Sequence, residues 1–314
     1  MRIRQAVAIG LLALTPALTG CLVHKHSVLK TRPPAVVLGT SVDQLLKQVD
    51  DRYGTVQSMT STVQLNACTG GAKEGEVSCV NFSGYIIVGK PDNINVLLKV
   101  PILGSDALDM VSDGKTFKML IPHENCAIVG SDVVTNISQK GKYSLRPAVI
   151  LDSLLIPGLQ SDQIVSMTQG SRIVPDPKTR KDVIDEPTYN LEFLSQPDGR
   201  TARALRVIHV SRVNLLPYQQ DIYNSDGKVG TQATYSNYRK FGDIVFPTRI
   251  EIQRPLDELS LTITIAKATF NQKLPDDQFN LEIPPTTAHI TNMDDPASSS
   301  IKDPCAVHAT QSSH

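Results

Sequence analysis

The chain has 314 residues, 31 basic and 31 acidic, with 40% hydrophobic and 5% aromatic side chains and no Trp. That length and apolar content suit one large all-β domain or two small ones with a sizeable core. Zero formal charge without a clustered run of Lys and Arg excludes an electrostatic binder of nucleic acid, which needs such clusters to displace condensed counterions.

Arg2 and Arg4 precede an apolar stretch from Ala6 to Leu18, too short to cross a bilayer comfortably. Residues 1–20 therefore read as an export signal. Its end, Leu18, Thr19, Gly20 and Cys21, resembles the bacterial lipobox, which implies cleavage before Cys21 and lipid attachment to its sulfur. Several acyl chains, each contributing about 0.8 kcal/mol per buried methylene, make a stable membrane anchor. By resemblance to enterobacterial sorting rules, Leu22 after the cysteine implies the outer membrane, with the protein facing the periplasm. Residues 21–40 are polar and broken by Pro33 and Pro34, as a tether would be. His24 and His26 lie in it without a third ligand nearby, so a solvated linker is expected rather than a metal site.

Helix signals begin at Ser41, a candidate cap. Val42, Leu45, Leu46, Val49 and Tyr53 follow the spacing of one helical face, and Gly54 closes it. Residues 59–67 then alternate, with Met59, Ser61, Val63 and Leu65 on one side and Thr60, Thr62 and Gln64 on the other, which predicts a half-buried strand. A second strand is expected over Phe82 to Val88. Lys90, Pro91, Asp92 and Asn93 supply a turn, and Pro101, Ile102, Leu103 and Gly104 supply another, so residues 84–112 read as an antiparallel meander. This meander carries more apolar surface than a one-sided sheet needs.

Asp113, Gly114, Lys115 and Thr116 mimic the end of a phosphate-binding loop. Asp109 stands where that motif requires its first Gly, and strands flank the segment, so a hairpin turn is expected. Phe117 to Ile121 continues as a strand, and Pro122 to Cys126 as a turn. Leu145, Arg146 and Pro147 open a second helix through Leu151, Leu154, Leu155 and Ile156, apolar almost all round, stopped by Pro157 and Gly158. From Tyr189 the chain reads as strand after strand: 189–193, 204–213, 217–223, 229–238, 243–253 and 259–270. So many neighbouring strands with few helices predict a large antiparallel sheet that curls to limit its edges. The tail over 285–314, rich in Ser, Thr, Pro and Asp, is expected to be disordered apart from any tie through Cys305.

Four cysteines remain beside Cys21, in a compartment that permits disulfides. Cys68 and Cys79 bracket a hairpin loop, which favours a bridge there and leaves Cys126 with Cys305, although three connectivities are possible. The absence of a Cys-x-x-Cys spacing speaks against redox catalysis and a zinc ribbon, and no cofactor or metal is expected.

The order of these features resembles the LolA/LolB lipoprotein-carrier superfamily and its uncharacterised outer-membrane lipoprotein relatives over residues 41–284. The features are a helix, two strands, the run Gly84, Ile86, Val88, Lys90, Pro91, Asp92, then Ser112 to Phe117, Pro122, an apolar helix, and a meander with Asp226, Gly227, Phe246, Pro247, Ile250, Asn271 and Phe279. The resemblance implies a mainly β (α+β) fold: a curved antiparallel sheet forming an unclosed barrel, with a few helices as a lid over an apolar cavity that accepts acyl chains. On strands the expected lining is Val63, Leu65, Ile86, Val88, Val96 and Leu98, with Met110 and Met119. The second helix adds Leu151 and Leu155, and the later strands Leu191 and Phe193. Lys90 stands where the carrier places an Arg that holds the lid, but it lacks the planar guanidinium fork. The Ile102 and Leu103 loop resembles an apolar loop that touches the bilayer in the membrane-anchored acceptor.

These readings favour a lipid-anchored envelope protein binding the acyl chains of lipids or lipoproteins, for transport to or insertion into the outer membrane. The alternative is a structural or regulatory lipoprotein that uses the same fold to bind an envelope protein partner. A hydrolase is not expected: there is no Gly-x-Ser-x-Gly or His-Glu-x-x-His, and His209 lies within a strand, where a packed or edge residue is commoner than a general base.

Overall fold

The computed structural model describes residues 31–71, 75–132, 146–176, 178–179, 182–196, 198–275, 277–295 and 305. The export signal, Cys21, His24 and His26 lie outside the described residues. The chain divides into a small unit, residues 1–34 and 173–185, and a large one, residues 35–172 and 186–314. In the small unit, β1 (Thr31–Arg32) pairs in parallel with Val183 and Ile184 at the start of β9, and Arg32 holds the buried carboxylate of Asp176.

The large unit begins with α1 (Val42–Gly54). Ser41 Oγ accepts the amide of Gln44 at 3.2 Å while Gln44 Oε1 accepts the amide of Ser41 at 3.4 Å, a reciprocal cap that starts the helix at the residue the sequence nominates. Leu45, Val49 and Tyr53 are its buried stripe. Six strands follow: β2 (Ser58–Thr69), β3 (Ser78–Gly89), β4 (Asn93–Lys99), β5 (Asp106–Ser112), β6 (Thr116–Ile121) and β7 (Cys126–Ser131). After α2 (Pro147–Leu154) come β8 (Gln163–Pro175), β9 (Val183–Ser195), β10 (Arg203–Ser211), β11 (Pro217–Tyr223), β12 (Val229–Phe241), β13 (Ile244–Arg254), β14 (Leu259–Phe270) and β15 (His289–Asn292).

Two antiparallel meanders, β2 to β7 and β9 to β14, are joined edge to edge by β14 against β2, with Leu259 opposite Thr69 and Phe270 opposite Met59. The result is one large curved sheet that does not close into a barrel. The segment at 113–116 is a hairpin turn: Gly114 has φ 82°, and Asp113 Oδ1 accepts the amides of Lys115 and Thr116 at 2.9 and 2.8 Å. Disulfides join Cys68 to Cys79 across β2 and β3, and Cys126 to Cys305.

Besides the two-residue β1, which falls in the segment read as a tether, three strands were not expected. β8 is largely exposed, so it lacks the apolar alternation that marks a half-buried strand. β7 follows the turn at Pro122 after a single residue, Asn125, in the left-handed region at φ 50°. β15 forms within the segment read as a disordered tail, pairing in parallel with β7 so that His289 faces Cys126. Met293 is buried beyond it and Asp294 Oδ2 accepts the amide of Ser131 at 2.5 Å, contacts between distant segments that local composition does not reveal.

Gly84 marks the tightest approach within the first meander. A Cβ there would lie 1.9 Å from the carbonyl oxygen of Leu97 on β4, where only hydrogen fits. Gly84→Ala is expected to lower the unfolding free energy by about 1–3 kcal/mol through forced backbone displacement, read as a lower urea midpoint with an unchanged slope.

Candidate functional site: an apolar cavity under the second helix

Because side chains alternate along a strand, the buried face of β2 to β6 and β14 is a set of cross-strand rows. Leu65 faces Phe82 and Ile263, Ala67 faces Val80 and Leu261, and Thr69 faces Ser78 and Leu259. On the neighbouring strands Val96 faces Met110, Leu98 faces Leu108, and Met110 faces Met119. Toward one end of the sheet these rows enclose a cavity of about 570 Å³, roofed by Ile150 of α2. Antiparallel order brings the end of β2, the start of β3, the end of β4, the start of β5, the end of β6 and the start of β14 to that same end. Ser78, Val80, Leu103, Ser105 and His123 line the cavity and are also exposed, so its mouth is there.

Of the residues expected in the lining, Leu65, Val96, Leu98, Met110 and Met119 face this cavity. Val63, Ile86 and Val88 point from the same sheet face but lie farther along the strands, sealed in the core cluster with Leu45, Val49 and Tyr53 of α1. Leu191 and Phe193 belong to the core beneath the second meander, where Leu191 faces Ile208. Leu151 and Leu155 border a separate recess of about 180 Å³ with Asp50, Lys90 and Asp152. Strand periodicity identifies the face but not how far a helix covers it. The sequence reading missed Ala67, Val80, Phe82, Val100, Ala107, Leu108, Ile121, Leu259 and Leu261 on the sheet side, and Ile150 on α2. For Ala67, Phe82, Leu259 and Leu261, alternation with polar neighbours on the same strands was the available signal.

Both ends of α2 are fixed by polar groups. At its start, Asp132 accepts a hydrogen bond from Ser112 and, through Oδ1, the amide of Ala148 at 3.4 Å. Burial pushes the Asp132 carboxyl up, partly offset by these bonds. Arg146 donates to the carbonyl of Ser131 and lies 3.6 Å from Asp294, next to β15. At its far end, Gln220 Nε2 donates to the carbonyl of Asp152 at 3.0 Å, and Arg206 donates to the carbonyl of Pro157 at 3.4 Å. These anchors hold Ile150 over the cavity.

Lys90 follows β3 at the start of the turn into β4, and Nζ donates to the carbonyls of Tyr53 and Gly54 at 2.7 and 3.2 Å. It is thus a cap on the last turn of α1, adding to the bonds that the Tyr53 and Gly54 carbonyls accept from the Val56 amide and Gln57 Nε2, and placing a cation at the negative end of the helix dipole. Two bonds to separate carbonyls suit an ammonium group and do not need a guanidinium fork. Desolvation draws its pKa below the usual lysine value.

The loop between β4 and β5 projects outward, with Ile102 105% and Leu103 78% exposed. Ile102 has φ 72°, a left-handed conformation unfavourable for a β-branched residue. Leu103 contributes to the cavity wall as well.

Ionisable groups are sparse at the site. Among the described residues lining the cavity, Glu124 and His123 are ionisable, 3.5 Å apart at the mouth. Lys99, near the rim, is paired with Asp106 at 2.5 Å. Elsewhere, His209 is engaged by Asn190 at 2.8 Å and Asp221 at 3.1 Å on the opposite sheet face. Burial raises the Asp221 carboxyl, but hydrogen bonds from His209, Gln232 and Gln219 together bring it below the usual value. No group of three or more potential metal ligands occurs among the described residues.

A protein-family model described only as an uncharacterized protein matches residues 178–283. No curated protein matches the chain. A LolA superfamily protein from Nitrosomonas europaea is 15% identical with a TM-score of 0.47, covering 77% of this chain and 99% of that one. A DUF1329 family protein from Desulfovibrio piger is 17% identical at 0.48, covering 76% and 95%. A domain assigned to outer-membrane lipoprotein sorting in Vibrio parahaemolyticus is 11% identical at 0.46, covering 76% and 95%. At these scores the description of the fold rests on the strand order itself.

Lys90→Met is expected to cost about 1 kcal/mol and to speed amide hydrogen exchange in the last turn of α1, with Lys90→Arg restoring most of the protection.

Proposed function

We propose that this protein is an envelope protein, lipid-anchored through Cys21, which binds acyl chains of lipids or lipoproteins in the cavity beneath α2. Its role is transfer to, or insertion into, the outer membrane. The observation that carries this reading is a largely apolar cavity of about 570 Å³ opening beside an exposed apolar loop. That volume falls within the roughly 300–1,000 Å³ typical of small-molecule sites. An acyl chain entering it leaves water at about 0.8 kcal/mol per methylene, without directional contacts. Part of that gain offsets the freedom lost on binding.

Ile102 and Leu103 are suited to touch a bilayer while a chain passes the mouth, because Leu103 borders both solvent and cavity. Lys90 acts as a brace on α1, and the core that includes Val63, Ile86, Val88, Leu191 and Phe193 holds the sheet that frames the site.

Native mass spectrometry of the Cys21→Ser protein tests the reading, since any lipid retained must then be ligand. Adducts of acyl-chain lipids are expected, and Leu98→Asp should remove them while circular dichroism confirms the fold. A folded wild-type cavity that never retains or takes up lipid would overturn the proposal. Ile102→Gly should leave stability unchanged or raise it by about 1 kcal/mol by relieving the left-handed β-branched residue, yet slow lipid transfer to vesicles. Unchanged transfer would remove the loop from the mechanism.

A further inference from the structure

We infer that the Cys68–Cys79 disulfide is a latch on the cavity wall, and that its reduction by a dithiol oxidoreductase opens the cavity to its ligand. This inference rests on the acyl-binding reading above and adds the control of the same site.

The latch follows from where strand pairing stops. β3 pairs with β2 along its whole length, from Gly89 opposite Ser58 to Ser78 opposite Thr69, but with β4 only from Gly89 to Ser83. β4 ends at Lys99, and the chain turns there into the loop that carries Ile102 and Leu103. Residues 78–82 are therefore a flap that rides on β2 past the end of β4. Gly84, pressed against the Leu97 carbonyl, fixes its base. Ser78, Val80 and Phe82 of the flap line the cavity, as do Thr69, Ala67 and Leu65 opposite them on β2. Movement of the flap is thus movement of the wall.

The last rungs of a ladder open at little free-energy cost, above all where the backbone is exposed, as it is at Ser78, Val80 and Asn81. One covalent bond opposes that opening. Cys68 lies opposite Cys79 on the rung before the last, and the two are joined. Since neighbours along a strand alternate between faces, and Ala67, Thr69, Ser78 and Val80 line the cavity, both sulfurs belong to the outer face. Cys79 is exposed there, so a thiol can reach it whether or not the cavity is filled. The other disulfide is a contrast within the same chain, because Cys126 and Cys305 are 0% and 5% exposed. Exposed disulfides are the exchangeable ones.

A thiolate of the dithiol attacks Cys79 Sγ, forming a mixed disulfide and releasing Cys68 as a thiolate, which takes up a proton. The second thiol of the dithiol, after losing its proton, attacks the mixed disulfide and releases Cys79, which is protonated in turn. Two electrons and two protons pass to the flap, and the dithiol leaves as a disulfide.

Dithiothreitol serves as the dithiol in a test on the Cys21→Ser protein. After brief reduction and quenching with iodoacetamide, mass spectrometry should find Cys68 and Cys79 alkylated while Cys126 and Cys305 remain joined. Stopped-flow fluorescence of the neutral dye N-phenyl-1-naphthylamine should then show uptake and release quickened by roughly tenfold or more, with faster amide hydrogen exchange over residues 78–82. Cys68→Ser/Cys79→Ser should match the reduced protein and respond no further to dithiothreitol; if that variant does not fold, the selectively reduced protein decides. Equal dye rates in the oxidised and reduced forms, or reduction of Cys126–Cys305 first, overturns the latch while leaving acyl binding intact. A folded protein that takes up neither the dye nor lipid from palmitoyl-oleoyl phosphatidylglycerol vesicles, in either redox state, overturns both.

Discussion

The antiparallel pairing of β14 with β2 is the constraint on which the rest depends. It connects strands more than 180 residues apart in the chain and turns two local meanders into one sheet. Each meander forms from hairpins whose turns are encoded nearby, but neither alone would hold α1 and α2 against a continuous apolar face. Closing so long a loop is entropically unfavourable. Burial along the joint offsets it, through Val63, Leu65, Leu261, Ile263 and Ile265 in a single core.

The cavity follows from that joint and from helix length. α1 and α2 have 13 and 8 residues, and the core they seal lies toward the Met59 and Val88 end of the strands. The apolar face extends farther, to Thr69, Val100 and Leu259, and there the rows enclose space. A cavity of this kind is a place where packing contacts are forgone. A ligand that supplies the missing apolar atoms would restore them.

The packing under the far end of α2 differs in character. Arg206, Gln220 and Tyr235 rise from the inner face of the second meander, yet Arg206 Nε, Gln220 Oε1 and the Tyr235 hydroxyl lack a partner among the described residues. Burial raises the Tyr235 hydroxyl well above its usual pKa, keeping it neutral. Unpaired buried groups of this type cost about 1–3 kcal/mol each. The far end of the helix is therefore held by a few specific bonds amid an imperfectly satisfied polar patch, whereas the Ile150 region rests on apolar contact.

What the sequence determined by itself is local. Ser41 opened α1, whose C-cap is Thr55 one residue past the expected Gly54, Asp113 and Gly114 turned a hairpin, and alternation from Met59 to Leu65 or across Leu259 to Phe270 assigned a buried face, because caps, turns and strand pleat act over a few residues. Tertiary structure decided how far that face is covered. Leu65 and Val63 are two residues apart on one strand, both buried in the same core and indistinguishable by pattern, yet Leu65 borders the cavity and Val63 does not. The same holds for β15, whose residues lack a strand's apolar pattern and pair only because β7 offers an edge beside Cys126 and its disulfide to Cys305. Whether a face becomes core or cavity depends on the reach of helices from elsewhere in the chain, and no local pattern encodes that distance.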